Sequence, residues 1–402
     1  MKRSLSILLV LVLVLSCVIT GCADKEKNDY VVNNNGIINI GVLVPLLSDG
    51  SHIGLDIEKG IRYANELAPG VNIGSKHLVN VMYDDVCGDI DAIADKFISE
   101  NVAAVICSGY DKETTDRVID AFKNESIPVV FTDCYSDRII SEENVYSISI
   151  PYFYQNSVVS AYFIEQGFNT GAVVTSGDSY SSSVSKHFKE AFAGAGGESV
   201  SQYTFGGDDA NFSAETISAS ELEFVYIYGT EEFTKSIAEK LKDAGADMPI
   251  VLSEIQDKNH LEDSKFNDIM FVSKFEKDDN NYIGTDFIKT YSNLKDVDTS
   301  DVTTAVVYGY DAYMLVYGAL MSFNSGFGTV TSDSNNADAD PSDGIKVSQI
   351  AQEITHISHM GVSDSITFGD NGLVNPNFLY LDAIKNTNAV MLNKYNYNNE
   401  SK

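Results

Sequence analysis

The chain has 402 residues, of which 44% are hydrophobic and 21% are charged. This composition is typical of a globular protein and excludes both a disordered chain and a protein with many membrane-spanning helices. The formal net charge is −31, from 27 Lys and Arg against 58 Asp and Glu. Such a field repels nucleic acids and anionic membranes, so no nucleic-acid partner is expected. Solubility accounts for the charge, which alone does not indicate a cationic ligand.

The first predicted element is a secretory signal. A basic start precedes the aliphatic run Ile7 to Leu15, which is too short to cross a bilayer as a helix. The stretch Ile19 to Cys22, "ITGC", resembles the bacterial lipobox, which is cut before a cysteine that then carries acyl chains. The resemblance implies a signal peptide at 1–21, lipidation of Cys22, and a protein anchored by lipid on the extracytoplasmic face of the cell membrane. An ordinary signal that is cut elsewhere is the alternative.

Residues 22–36 are polar and rich in Asn, which predicts a flexible tether. From Ile37 onwards, buried strand patterns alternate with apolar residues at helical spacing. This alternation indicates right-handed βαβ units and a parallel sheet. The strand segments of this first half are "INIGVLVPL", "HLVNVMYDD", "VAAVICSG" and "IPVVFTD".

The pattern restarts after Pro151. "TGAVVTSG", "ESVSQYTF" and "ELEFVYIYG" are strand-like, and helical segments lie between them. The chain is therefore predicted to form two doubly wound, Rossmann-like α/β lobes of similar length. The segment Phe323 to Gly344 has low complexity, and we expect it to be a surface loop rather than a calcium site.

The sequence has no nucleophile elbow, no P-loop and no glycine fingerprint for a dinucleotide. We therefore expect no cofactor and no catalytic activity. Outside the signal and Cys22, three cysteines remain, Cys87, Cys107 and Cys134, so at most one disulfide can form. Their spacing fits no zinc pattern and the six histidines are scattered, so no metal site is predicted.

Polar and aromatic residues follow several of the predicted strands. In open α/β sheets, ligands bind in the crevice outside the carboxyl ends of the strands. We therefore expect two sets of strand ends, one from each lobe, to face each other across a cleft. The segments are Leu46–Gly54, Ser108–Asp116, Thr132–Asp137, Ser176–Ser183 and Leu252–Asp257.

From about Ile38 to Val390, the chain resembles a type I periplasmic binding protein of the leucine/isoleucine/valine-binding family. The resemblance depends on five segments that occur in the family's order. They are "IGVLVPLLSDGSHIGLDIEKGIRYANE", "VMYDDVCGD", "SIPVVFTD", "VVYGYDAYMLVYGAL" and "ITFGDNGLV". The resemblance implies two lobes joined by a three-strand hinge. The N-lobe would comprise 37–150 and 278–360, and the C-lobe 151–277 and 361–395.

The family also implies a ligand site. The helix start after the third strand and the end of the fourth strand would bind the carboxylate and ammonium of an amino acid. A tyrosine early in the second lobe would pack on the ligand, and a glutamate after a later strand would hold the ammonium. In this sequence the implied ligand-binding residues are Lys112, Thr114, Thr115, Asp133, Tyr135, Tyr180 and Glu254, with Ser48 after the first strand.

This chain departs from the family pattern at the site. Asp133 stands where a small residue is usual, and it would repel a ligand carboxylate unless Lys112 or a ligand cation offsets it. Two acids, Asp133 and Glu254, suit a ligand with an additional cationic or donor group, so branched-chain specificity is not carried over. The family's disulfide partner position for Cys87 holds Asp111, which leaves either a bridge to Cys107 or a free Cys87.

The resemblance implies a binding protein rather than an enzyme. We expect a monomeric, lipid-anchored solute-binding protein that captures an amino acid or similar small polar metabolite. It would deliver this small-molecule ligand to the permease of an ABC transporter. The alternative is a component of a ligand-sensing receptor that uses the same cleft without transport.

Overall fold

The computed structural model describes residues 27–32, 36–47, 51–73, 75–206, 210–261, 263–277, 282–323 and 344–397. The signal at 1–21, Cys22, Ser48 and the segment 324–343 lie outside these residues, so the expectations for them stay predictions. In the described part of the chain, every helix falls short of the length and apolar character that a bilayer crossing needs.

The first sheet has six strands and belongs to the first half of the chain. Its strands pair in parallel except β2 and β3, which form an antiparallel hairpin. They are β1 (Ile37–Val44), β2 (Gly70–Ile73), β3 (Ser75–Asp85), β4 (Val105–Ser108), β5 (Val129–Asp133) and β6 (Val145–Ser147). The order β2-β3-β1-β4-β5-β6 places the apolar β1 inside the sheet, which explains its continuous hydrophobic run.

Helices from two parts of the chain cover the first sheet. The helices α1 (Ser51–Leu67), α2 (Ile90–Ser99) and α3 (Lys112–Phe122) connect its strands. The helices α8 (Tyr282–Lys295), α9 (Thr304–Met321) and α10 (Val347–His356) come later in the chain. Most of α9 is buried, and its side chains join the apolar cluster of the first sheet. We call this sheet and these six helices the N-lobe.

The second sheet has seven strands in the order β15-β14-β11-β10-β9-β7-β8. Its strands pair in parallel up to β11, whereas β14 and β15 are antiparallel additions at one edge. They are β7 (Thr170–Thr175), β8 (Ser199–Thr204), β9 (Phe224–Ile227), β10 (Ile250–Leu252), β11 (Met270–Ser273), β14 (Phe378–Lys385) and β15 (Asn388–Asn396).

The helices α4 (Tyr152–Glu165), α5 (Ser179–Gly194), α6 (Ala214–Ser218) and α7 (Glu231–Asp243) accompany the second sheet. Together they form the C-lobe. The short strands β12 (His359–Met360) and β13 (Ser365–Ile366) pair only with each other.

The chain passes between the lobes three times. The first crossing, residues 148–151, joins β6 to α4, and the second follows β11. The third lies between β13 and β14, residues 367–377. The predicted fold class, two doubly wound α/β lobes joined by a three-strand hinge, is confirmed.

Part of the segment expected to be a flexible tether packs against the N-lobe. Val32 is buried, and its N–H donates to the carbonyl of Ile345 at 2.8 Å. The hydroxyl of Tyr30 donates to the carbonyl of Val102 at 2.7 Å. Residues 27–32 are therefore not a free tether. The free energy gained by burying their aromatic and aliphatic side chains exceeds the conformational entropy that is lost when the segment is ordered.

Helices α1 and α9 touch through two glycines. A β-carbon on Gly60 would lie 2.0 Å from the carbonyl oxygen of Val306, and one on Gly309 would lie 2.1 Å from that of Ile57. Both distances are far below van der Waals contact, so a larger residue at either position would force the helices apart. The close contact with α1 therefore fixes the position of α9 on the N-lobe.

We predict that Gly309→Ala lowers the free energy of unfolding by about 1–3 kcal/mol or more, because overpacking displaces the helix backbone. Gly194→Ala is the matched control, since a β-carbon at this helical position meets nothing within 4 Å. It should be neutral or slightly stabilising because alanine is the better helix former. Urea unfolding of both variants measures the difference, and equal stabilities would contradict the close helix contact.

Candidate functional site

A pocket lies between the lobes at the carboxyl ends of their strands; its cavity volume is about 20 Å³, and the empty volume of about 300 Å³ includes open solvent. The N-lobe contributes the end of β5, the first crossing contributes two residues, and the C-lobe contributes α4 and the ends of β9 and β10. The N-lobe and crossing residues are Asp133, Cys134, Tyr135, Ser149 and Ile150. The C-lobe residues are Gln155, Tyr228, Gly229, Ser253, Glu254 and Gln256.

Asp133 is a buried carboxylate held by four donors. The hydroxyls of Ser108 and Thr132 donate to it, each at 3.1 Å. The backbone N–H groups of Gly109 and Tyr110 donate at 3.0 and 3.2 Å. Burial raises the pKa of Asp133 to about 6, and the four hydrogen bonds oppose that rise without cancelling it.

The start of α3 was expected to offer free N–H groups to a ligand. Instead Asp111 caps the helix, and its carboxylate accepts the N–H of Thr114 at 2.7 Å. The hydroxyl of Thr115 donates to the carbonyl of Asp111 at 2.8 Å. Lys112 pairs with Asp116 at 2.5 Å. Of these residues none lines the pocket.

Glu254 follows the end of β10, and both its carboxylate and its backbone N–H form hydrogen bonds. Its carboxylate accepts a short hydrogen bond from the hydroxyl of Tyr308 on α9 and another, at 3.1 Å, from the N–H of Ile150. Its own N–H donates to the side chain of Gln155 at 2.8 Å. The carboxylate therefore links the C-lobe to the N-lobe and to the first crossing.

Desolvation raises the pKa of Glu254 to about 7. The hydrogen bonds from Tyr308 and Ile150 and the charge of Lys274 act in the opposite direction. A carboxylate has about four acceptor positions, so Glu254 can still accept a bond from a ligand in the pocket.

Lys274 follows β11 and is completely buried. Its ammonium donates to the carbonyl of Ile148 at 3.1 Å and lies 5.8 Å from the ring centre of Tyr308. Burial lowers the pKa of Lys274, whereas the neighbouring carboxylates of Asp364, Asp311 and Glu254 raise it. Lys274 does not line the pocket.

The expected tyrosines lie on both sides of Cys134. Tyr135 lines the main pocket. Tyr180 lines an adjacent pocket of similar volume and donates to the carbonyl of Cys134 at 3.5 Å. The hydroxyls of Tyr180 and Tyr228 are 3.1 Å apart. The structure thus brings Asp133, Tyr135 and Glu254 into one pocket and leaves Tyr180 in contact with its wall.

Eight residues that line the pocket were not among the predicted ligand-binding residues, and three of these have large polar or aromatic side chains: Gln155, Tyr228 and Gln256. Tyr228 directly follows β9, so the same rule about strand ends could have found it. Gln256 lies two residues beyond Glu254, inside a segment that was singled out. Gln155 had no such signal, since it lies one turn into α4 among apolar and aromatic residues.

Contacts between the lobes surround the pocket. The side-chain amide of Gln256 donates to the carbonyl of Thr132 at 3.4 Å. His52 on α1 lies 3.9 Å from Glu231 on α7. Burial lowers the pKa of His52, but the bond and charge of Glu231, with its acidic neighbours, raise it overall. The lobes therefore meet around the pocket rather than standing apart.

The structure decides whether Cys87 forms a disulfide with Cys107. Cys107 and Cys134 are free thiols, so the bridge from Cys87 to Cys107 does not form. Burial raises the pKa of Cys134 to about 12, which keeps its thiol protonated. Among the described residues, no group of three or more His, Cys, Asp or Glu side chains is arranged to hold a metal ion.

The comparisons with known proteins agree with this geometry. A family model described as periplasmic binding protein matches residues 37–338. A leucine-binding protein of Thermotoga maritima superposes with a TM-score of 0.72 at 20% identity, covering 89% of this chain and 99% of that one. A solute-binding protein of an ABC transporter from R. palustris, in complex with benzoate, gives 0.71 at 15% identity, covering 89% and 96%.

A branched-chain amino acid binding protein of Streptococcus pneumoniae, in complex with isoleucine, gives a TM-score of 0.70 at 16% identity, with 89% and 99% covered. A comparison with curated protein sequences found no match. The class of protein is a two-lobed α/β protein with a pocket at the strand ends of both lobes. The chain belongs to the periplasmic binding protein family.

The raised pKa of Glu254 predicts a dependence of stability on pH. Between about pH 4.5 and 7 the folded protein keeps a proton on Glu254 that the unfolded chain has released, so this contribution favours folding at low pH and is lost as pH rises through 7. Glu254→Gln cannot titrate. From pH 5 to 8, the wild type should lose on the order of 1–3 kcal/mol of unfolding free energy relative to this variant.

Urea unfolding at several pH values measures this difference. The exposed Glu221 provides the control, and Glu221→Gln should follow the wild-type profile. A constant difference between wild type and Glu254→Gln across this range would contradict a protonated, desolvated Glu254.

Proposed function

We propose that this chain is an extracytoplasmic solute-binding protein of an ABC transporter. It captures an amino acid or a similarly small polar metabolite between its lobes and delivers it to the permease. It acts as a monomer, anchored to the membrane through Cys22. The observation that carries the proposal is the pocket at the strand ends of both lobes, lined by polar and aromatic side chains and by the first crossing.

The mechanism we propose is binding with hinge closure. The bonds that join the lobes beside the pocket include those from Gln256 to the carbonyl of Thr132, from Tyr180 to that of Cys134, and from Tyr308 to Glu254. A ligand in the pocket can contact residues of both lobes at once only when the lobes are together, and these contacts then add to the bonds between the lobes. Its binding therefore favours the closed arrangement, and reopening releases it.

The similar structures support the size of the ligand and the link to transport. They bind leucine, isoleucine or benzoate by their names, and two of them are described as components of transporters. Binding rather than catalysis is supported by the family and by the pocket acids, since Asp133 and Glu254 are both engaged in bonds within the protein.

Mass spectrometry of small molecules released from the freshly purified protein tests the proposal. We expect one polar compound of about amino-acid size, and adding it back should raise the melting temperature in proportion to its affinity. Release of no such compound, together with no thermal shift from amino acids, amides, nucleosides or amines, would overturn the proposal.

Tyr135→Ala should weaken binding of the released compound by about tenfold to a hundredfold, 1–3 kcal/mol, because the ligand loses apolar contact with the ring. Tyr203→Ala is the matched control, since Tyr203 is a partly buried tyrosine on β8, at the outer edge of the second sheet. Isothermal titration calorimetry measures both. Equal losses in the two variants would mean that the ligand does not contact Tyr135.

The lipid anchor is tested in the full-length chain. Cys22→Ser should move the protein from the membrane fraction to the soluble fraction, because the acylated side chain is removed. Cys17→Ser, within the signal, should leave it with the membranes. Membrane retention of Cys22→Ser would show that another segment holds the protein there.

A further inference from the structure

The chain's own carboxylates accept bonds from N–H groups that could otherwise bind an anion. Ser108, Gly109 and Tyr110, at the end of β4, direct a hydroxyl and two N–H groups at Asp133. At the start of α3 the N–H of Thr114 is taken by Asp111. Backbone N–H groups at a helix start and in a neighbouring loop are the groups that bind anions in such folds. Here Asp133 takes up the two N–H groups of the loop, and Asp111 takes up one at the helix start.

The backbone of the loop after β4 lies very close to Asp133 and Thr115. A β-carbon on Gly109 would lie 2.6 Å from the carbonyl oxygen of Asp133 and 2.5 Å from the hydroxyl of Thr115, so only glycine fits there. Tyr110 adopts a positive φ of 57°, a conformation that is uncommon outside glycine and is retained where the surroundings enforce it. The contact with Asp133 is thus a feature of the folded backbone.

Beside the hydroxyls and amides of its lining, the pocket offers further acceptors but no cationic side chain among the described residues. Gln256 is 7% exposed, and its side-chain oxygen has no hydrogen-bond partner within the described part of the chain. Glu254 and Asp133 add two carboxylates to the lining. Of the described residues that line the pocket, none is Lys, Arg or His. The buried Lys274 is directed at the carbonyl of Ile148 instead.

We infer that Asp133 determines the charge of the ligand: the pocket takes a small amine that has no carboxylate at this end, and it rejects the corresponding amino acid. The inference rests on the proposed function for the pocket and narrows its ligand class. An amine can donate to Glu254 and Gln256 and is attracted by the charge of Asp133, whose own acceptor positions are filled by its four donors. A ligand carboxylate would be repelled by Asp133 and would find these N–H groups already occupied.

The inference is tested on the wild-type protein with matched pairs of ligands, whose affinities are compared. Each pair is an amino acid and the amine that lacks its carboxyl group: leucine and 3-methylbutylamine, tyrosine and tyramine, lysine and cadaverine, arginine and agmatine. Thermal shift at pH 8, where Asp133 is ionised, identifies binders, and calorimetry gives their affinities. We expect the amine of a binding pair to bind at least tenfold more tightly than the amino acid. An amino acid that binds as tightly as its amine would overturn the inference.

A second experiment does not depend on knowing the ligand. Asp133→Ala removes the carboxylate and frees the groups of Ser108, Gly109 and Tyr110. Acetate should then raise the melting temperature of this variant by several degrees, because it binds the folded state only. The wild type should not respond, and neither should Asp133→Asn, whose amide still fills the space. Chloride at equal ionic strength separates this effect from general screening.

The outcomes distinguish the two proposals. If acetate leaves Asp133→Ala unchanged, or stabilises the wild type equally, Asp133 does not occupy an anion site and the inference is wrong. If acetate rescues the variant while no compound is released from wild type and no solute binds it, the role of Asp133 holds and the solute-capture proposal fails. Asp133→Ser serves in place of Asp133→Ala if the latter does not fold.

Discussion

The first crossing is the part of the molecule on which the hinge depends. The N–H of Ser147, just before it, donates to the carbonyl of Gly372, and the carbonyl of Ser147 accepts the N–H of Val374, at 2.9 and 3.1 Å. The carbonyl of Ile148 accepts the ammonium of Lys274 from the second crossing. The first crossing, together with the end of β6 that leads into it, is thus bonded to both others. Because the three connections are joined to one another, the lobes cannot shift at one connection without disturbing the rest.

Lys274 brings a positive charge into this buried region, and acidic side chains around it compensate that charge. A buried ammonium is costly unless it is paired and hydrogen-bonded. Asp364, Asp311 and Glu254 supply the opposite charge. Asp311 is itself held by the N–H groups of Val362 and Ser363, between β12 and β13, at 2.7 and 2.9 Å. Glu254 therefore belongs to the electrostatics of the hinge as well as to the pocket. A ligand that bonds to it acts directly on the contacts that join the lobes.

The sequence predicted the architecture well because alternating strands and helices leave few topologies. The rule about strand ends also singled out Asp133, Tyr135 and Glu254, which line one pocket. Their role in binding a ligand stays a prediction. The partners of these residues were not predictable. Asp133 meets Gly109 and Tyr110 from another strand end, and Glu254 meets Tyr308 from a helix of the other lobe. Such bonds depend on side-chain direction and burial, which hydrophobic periodicity does not encode.

The acidic surface and the acidic pocket have different physical roles but favour the same ligand charge. A net charge of −31 raises the local concentration of cations around the whole protein and speeds their encounter, without any selectivity among them. Selection requires desolvated groups at fixed positions. Burial raises the pKa of both Asp133 and Glu254, so each carboxylate lacks part of the stabilisation it would have in water. A cation in the pocket supplies that stabilisation, and an anion removes more of it.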